Sequence, residues 1–371
     1  MRLTGIKRWL RRATLGVLVA SPLAQAGVLD GLFHDLQNLS QKLAGDVQNI
    51  QQQIQRDLAA WDAAVGKLTG ALQGSLSEIL ANTVIVLKEA NGNYLDPTPG
   101  TAAELRTIEY QGLARSVLVI RPDPATVDAP ALILMHAHNV TPQTMANLAR
   151  AGRLAAQYGA WIYLPQGVNG KWNEDPGMDT GIDDVGFISR LIDSAVAQDG
   201  IDAQRVYAAG YSSGGFMAQR LACQLTNRIA GFASVAATMR NSLAEVCAPS
   251  RALPAVFMNG TADLVVPYKG EPGLHSAAAS LAFWAAVDGC ASGQFQTVNL
   301  PDAVNDGTHV ALTRYTACLP GTAALLYTID KGGHTWPGGP GSLYTADMGK
   351  TSRNLDATLV LWQDLAPYAL P

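Results

Sequence analysis

One serine stands where a strand, a tight turn and a helix have to meet. The apolar run Arg205-Val206-Tyr207-Ala208-Ala209 leads into Gly210-Tyr211-Ser212-Ser213-Gly214, and a helical stretch follows from Phe216 to Gln224. Such a turn forces Ser212 into a strained backbone conformation, and only residues without bulk at 210 and 214 let strand and helix close in on it. With 36 glycines in the chain the bare G-x-S-x-G pattern arises easily, so the strand-to-helix setting carries the weight. It restricts the chain to folds that display a side chain at a strand end and makes Ser212 the candidate nucleophile.

A serine hydroxyl is a weak nucleophile near neutral pH. The reading therefore requires a histidine to take its proton and a carboxylate to orient that histidine. Of the six histidines, His275, His309 and His334 follow the serine. His334 lies in Gly332-Gly333-His334-Thr335-Trp336-Pro337-Gly338-Gly339, just past the strand-like Ala324 to Ile329, and glycine-rich loops at strand ends are where reactive side chains are displayed. His309 follows Asn305-Asp306-Gly307-Thr308 and reads as a solvated loop residue, while His275 heads the helix from Ser276. The carboxylate is read as Asp263, at the end of the buried-looking strand Ala255 to Met258 and flanked by Leu264-Val265-Val266.

Acyl chemistry also needs two backbone N–H donors for a developing oxyanion. Ser213 supplies one, and the second is expected from Ala137 or His138, after the strand-like Ala131 to Met135 and before a helix begun by Thr141. His136 and His138 stand two apart with no matching Cys, His or carboxylate cluster, so neither metal nor cofactor is expected. Trp172, in a loop after Leu164-Pro165-Gln166-Gly167, and Trp336 are candidates to line the substrate pocket, as is His136; the competing reading of the tryptophans is packing. Asp183 and Asp184 read as an N-cap and a first-turn charge rather than a paired acid and base.

Several of these segments occur together and in order: Gly210 to Gly215, Asp183-Asp184-Val185-Gly186-Phe187-Ile188, Asn259-Gly260-Thr261-Ala262-Asp263 with Val265-Val266-Pro267-Tyr268, and Gly332 to Gly339. In them the chain resembles the extracellular short-chain polyhydroxyalkanoate depolymerases and the related bacterial feruloyl and acetylxylan esterases. The resemblance spans roughly residues 105 to 365. It implies an α/β-hydrolase fold, a catalytic triad of Ser212, Asp263 and His334, and an oxyanion-associated histidine that fits the His136 loop. It implies, too, a polymeric or small ester as substrate, with poly-3-hydroxybutyrate the first expectation and feruloyl or acetyl esters the alternative; because specificity lies in pocket shape, an amide polymer such as poly(aspartate) stays open beside them. One departure is visible, since this family usually reads His-Gly-Cys where the chain has His136-Ala137-His138. A non-catalytic binding protein on a hydrolase scaffold is the reading from another class.

Outside those motifs the chain divides into three. Residues 1–26 have a basic start, an apolar run from Ala13 to Ala20 and the small-x-small pattern Ala24-Gln25-Ala26, so a signal peptide cleaved after Ala26 is expected, with a secreted or periplasmic product. In residues 27–90, apolar side chains recur from Leu29, Leu32, Leu36 and Leu39 to Leu72, Leu76 and Ile79, in steps of three and four that predict an amphipathic helical extension. Its stripe across 28–80 is expected to pack on the catalytic unit or a second copy, or to contact a hydrophobic surface. Asn91-Gly92-Asn93, Pro97 and Pro99 mark a linker, after which 91–371 alternate apolar and helical runs, the pattern of a mostly parallel sheet flanked by helices.

No stretch after the leader approaches the roughly 20 apolar residues of a membrane span. A net charge of −4 gives no reason to expect nucleic acid. Four cysteines in an exported chain are expected to be paired, and spacing leaves three connectivities open. The family resemblance selects Cys223 with Cys247 and Cys290 with Cys318.

Overall fold

The computed structural model describes residues 95–178, 180–340 and 348–371. The expected signal peptide and amphipathic extension lie outside the described residues. All of the described residues belong to the unit Asn91–Pro371.

The unit opens with a hairpin, β1 (Thr101–Tyr110) and β2 (Leu113–Pro122). Its two-residue connection, Gln111 and Gly112, takes positive φ at both positions, the turn whose twist matches paired strands. There follow β3 (Ala131–Met135), α1 (Pro142–Ala149), α2 (Gly152–Tyr158), β4 (Trp161–Pro165), α3 (Asp184–Asp199), β5 (Val206–Tyr211), α4 (Ser213–Gln224), β6 (Gly231–Val235), α5 (Asn241–Ala244), β7 (Ala255–Gly260) and α6 (Ala277–Val287). The unit ends with β8 (Phe295–Asn299), β9 (His309–Tyr315), β10 (Ala324–Asp330) and α7 (Ala357–Leu365).

Among the described residues the strands form one ten-stranded sheet in the order β1-β2-β4-β3-β5-β6-β7-β10-β9-β8. The central strands from β4 to β10 pair in parallel, and antiparallel strands close both edges. Parallel strands are covered on both faces, which is why β3, β4 and β7 are buried at every position. Alternate side chains divide between two cores. Ile133 and Phe257 pack with α3, α4 and α6 through Phe187, Met217 and Trp284, while Leu132 and Leu134 pack with α1, α2 and α7 through Met145, Leu154 and Trp362. This is the α/β-hydrolase arrangement, with helices on both faces of a mostly parallel sheet.

From β3 the chain steps to β4 on one side and then to β5, β6 and β7 on the other. The carboxyl ends of β3 and β5 therefore flank a topological switch point, where open α/β sheets form their clefts.

Several elements depart from the sequence expectation. His309 begins β9, next to the edge strand β8, instead of standing in a loop, with its Nδ1 3.0 Å from an Asp302 carboxylate oxygen. Strands β6 and β8 and helix α2 carried no clear pattern, whereas α1 begins at Thr141 as expected. Thr141, Asp183 and Ser276 do cap α1, α3 and α6, each accepting a backbone N–H. Two disulfides pair Cys223 with Cys247 and Cys290 with Cys318. Each constrains the unfolded chain by about 3 kcal/mol.

A buried acid beside the second disulfide gives the fold a pH signature. Asp288 is inaccessible, one oxygen accepts the Leu253 N–H at 3.0 Å, and the other has no partner among the described residues. Burial pushes its carboxyl up to about 8, with Leu253 and Arg251 offsetting part of the effect. The unfolded chain releases this proton near pH 4 and the folded one only near 8, so stability falls as pH rises across that window. Asp288→Asn keeps an oxygen for Leu253 and has no proton to lose. Its melting temperature is expected to stay flatter between pH 4 and 8 than that of the parent; parallel curves would refute the assignment.

Candidate active site

Ser212 sits between β5 and α4 with φ 55° and ψ −118°, the strained backbone that the turn was expected to impose. The flanking glycines are required by contact: a Cβ at Gly210 would overlap the backbone of Gly214, and one at Gly214 would overlap the Met135 carbonyl. Ser212 is half-buried.

Three loops at the carboxyl end of the sheet bring the sequence-predicted residues together. Asp263 follows β7, and His334 follows β10, on a loop whose backbone is pinned by His334 N–H donating to the Met348 carbonyl at 2.7 Å. His334 Nε2 lies 2.9 Å from Ser212 Oγ, and His334 Nδ1 lies 2.8 Å from Asp263 Oδ2. The imidazole and carboxylate are buried, at 3 % and 5 % exposure. Asp263 Oδ1 accepts the N–H groups of Val265 and Val266, each at 2.8 Å, so the carboxylate is held by its own loop while its other oxygen faces the ring. A carboxylate can only accept here. Nδ1 therefore carries the proton, and Nε2 is left as the acceptor for the serine hydroxyl.

Tyr211 was not singled out in the sequence. Its hydroxyl donates to the His334 carbonyl at 2.7 Å and its ring lies 5.3 Å from the imidazole. Burial, with Asp263 nearby, raises its phenol above the usual range, so it stays a neutral donor. Its place between Gly210 and Ser212 was the available signal.

The expected oxyanion donors lie on two elements. Ser212 caps α4 without a side-chain cap bond, and among the described residues the Ser213 N–H at the positive end of that helix has no protein acceptor. Among the described residues the N–H groups of Ala137 and His138 also have no protein acceptor. Ala137 is buried and His138 exposed.

The three pocket candidates are placed differently from the expectation. His136, Trp172 and Trp336 are 0 %, 4 % and 1 % exposed and present no open face to the cleft. Trp336 packs edge-on against Tyr211 at 6.3 Å and donates to Thr358 Oγ1 at 3.0 Å, fixing the His334 loop. Trp172 lies against the His136 ring at 4.9 Å. Burial lowers the His136 imidazole to about 4, with His138 and Arg115 adding to the effect, so it is neutral at ordinary pH. Phe216, Ala237 and Val266, close in the chain to Ser212 and Asp263, form a small buried apolar cluster with Leu274 packed against it. The Arg240 guanidinium covers the Phe216 ring at 4.4 Å and pairs with Glu174 at 3.0 Å.

Asp184 is more than a first-turn charge. It is buried against Arg115 at 2.7 Å, a contact between residues far apart in the chain that no local pattern announces. Among the described residues no group of three or more side chains is arranged to hold a metal, and no helix is long and apolar enough to cross a membrane.

No family model matches the chain. It is 29 % identical over 248 residues to the putative esterase NocK of Nocardia uniformis subsp. tsuyamanensis, which covers 61 % of this chain and 71 % of that protein. Feruloyl esterase B of Piromyces equi is 29 % identical over 237 residues, covering 59 % of this chain and 42 % of that protein. The bifunctional acetylxylan esterase/xylanase XynS20E of Neocallimastix patriciarum is 27 % identical over 163 residues, covering 44 % and 23 %. The chain thus spans less than half the length of the last two. Among solved structures, an acetyl xylan esterase from Aspergillus awamori is 14 % identical, with a TM-score of 0.47 over 62 % of this chain and 94 % of that one. The fold is that of the α/β-hydrolases, and the proteins this chain resembles in sequence are esterases.

Proposed function

We propose that the protein is a serine-dependent carboxylic ester hydrolase, in which Ser212 attacks an ester carbonyl, His334 takes its proton and Asp263 holds and stabilises the ring. The observation that carries this reading is the relay of 2.9 Å and 2.8 Å contacts from the hydroxyl of a half-buried serine with strained backbone to a buried carboxylate. As the tetrahedral intermediate collapses, the imidazolium returns its proton to the departing alcohol and the acyl group stays on Ser212 Oγ. Water, deprotonated by the same imidazole, then releases the acid. The steps as written call for no metal or cofactor. Two disulfides and the leader-like N-terminal sequence support action outside the cytoplasm.

For the substrate, the sequence relatives support feruloyl or acetyl esters of plant polysaccharide over the polyester first expected from the motifs. The ordered motif agreement keeps poly-3-hydroxybutyrate as a second reading. The test is direct: purified protein is given feruloylated and acetylated xylan oligosaccharides in one arm and amorphous poly-3-hydroxybutyrate in the other. Ferulate or acetate release at least tenfold faster than 3-hydroxybutyrate release is expected. The reverse order would hand the assignment to the polyester.

A further inference from the structure

The loop after β4 holds the oxyanion loop at three places, the His136 ring, the His136 carbonyl and the Asn139 N–H. Gly167 N–H and Gln166 Nε2 both reach His136 Nε2 at 2.9 Å. A nitrogen that accepts from a backbone N–H carries no proton, so the neutral ring holds its proton on Nδ1. That Nδ1–H donates to the Ala137 carbonyl at 2.7 Å, which the Val140 N–H also reaches at 3.1 Å. One residue earlier, the Trp172 indole N–H donates to the His136 carbonyl at 2.9 Å. One residue beyond His138, the Asn139 N–H donates to the Gly170 carbonyl at 2.8 Å.

In a trans peptide the carbonyl and the following N–H point in opposite directions, so holding one aims the other. The His136 carbonyl comes close to Gly214 of the elbow, where a Cβ would meet it at 2.8 Å. The paired Ala137 N–H is consequently turned away from the elbow. The Ala137 carbonyl is pinned on the imidazole, which turns the N–H of exposed His138 the opposite way, and among the described residues that N–H has no protein acceptor.

The β4 loop is itself anchored at both ends by one buried pair. Arg115 donates to the Gln166 carbonyl at 3.1 Å, and Asp184, 2.7 Å from Arg115, accepts the Asn173 N–H at 2.7 Å.

We propose that the β4 loop is a template for the oxyanion site: Trp172 and His136 are positioning residues that lock two successive peptides, so that His138 N–H, and not Ala137 N–H, joins Ser213 N–H as the oxyanion donor. This rests on the serine-hydrolase reading above; the resemblance already ties His136 to the oxyanion loop, and what is added is the β4 loop, with Trp172, as the part that sets which peptide N–H is presented.

The test uses the full chain, a nitrophenyl ester and a trifluoromethyl ketone, whose hemiketal oxyanion occupies the donor site. Trp172→Phe keeps a ring and removes the N–H; His136→Leu removes the peptide lock, and His136→Asn returns a donor near the Nδ1 position. The Phe and Leu variants are expected to lose about 10- to 100-fold in kcat with KM within threefold. Ketone affinity should fall in step, and His136→Asn should recover part of the loss. Unchanged kcat and ketone affinity in folded Trp172→Phe would overturn the proposal. So would a loss carried by KM, because that marks a pocket wall. Should the Leu variant not fold, Trp172→Phe decides alone. Ser212→Ala is run alongside: an active Ser212→Ala removes the underlying reading, whereas an inactive one beside an intact Trp172→Phe removes only the template.

Discussion

Ser212→Ala is expected to lower turnover of a short-chain nitrophenyl ester by about 10⁴-fold or more while leaving thermal unfolding nearly unchanged. The two halves of this expectation have separate causes. Ser212 Oγ contacts His334 and makes no cap bond to α4, so its removal takes away the nucleophile without uncapping the helix. Alanine also carries the same Cβ as serine, and the strain of φ 55° is inherited rather than worsened. Kinetics with matched melting curves check it. Activity within tenfold of the parent would exclude this serine.

The second large effect concerns the proton's address. In Asp263→Asn the side-chain oxygen can still accept from Val265 and Val266, and the amide NH2 then faces His334 Nδ1. A donor facing Nδ1 forces the imidazole proton to Nε2, the nitrogen that must accept from Ser212. Turnover is expected to fall by about 10³- to 10⁴-fold with KM little changed, since the tautomer and not the pocket is altered. A loss below tenfold would show that the carboxylate does not set the ring's protonation.

How much of this was legible depended on distance along the chain. The elbow could be read because strand, turn and helix requirements fall within a few residues of Ser212. Strands β3, β5, β7 and β10 were visible because burial on both faces demands nearly continuous apolar runs. Strand β8 is exposed at every residue and so left no such run, while β6 is short and contains glycine, alanine and serine. Asp263 and His334 were found from their strand-end loops, yet their mutual contact joins residues that no local pattern links. The buried Arg115–Asp184 pair and the indole contact to the His136 carbonyl have the same character. Each side chain alone reads as an ordinary surface charge or packing group, and its work shows only once β2, β3 and β4 lie side by side.

The account as a whole rests on an activated hydroxyl at one position, and active-site labelling tests it most directly. Protein treated with a fluorophosphonate and digested is expected to carry one adduct, on the peptide containing Ser212, and Ser212→Ala should carry none. An unlabelled protein, or an adduct on a different serine, would contradict it.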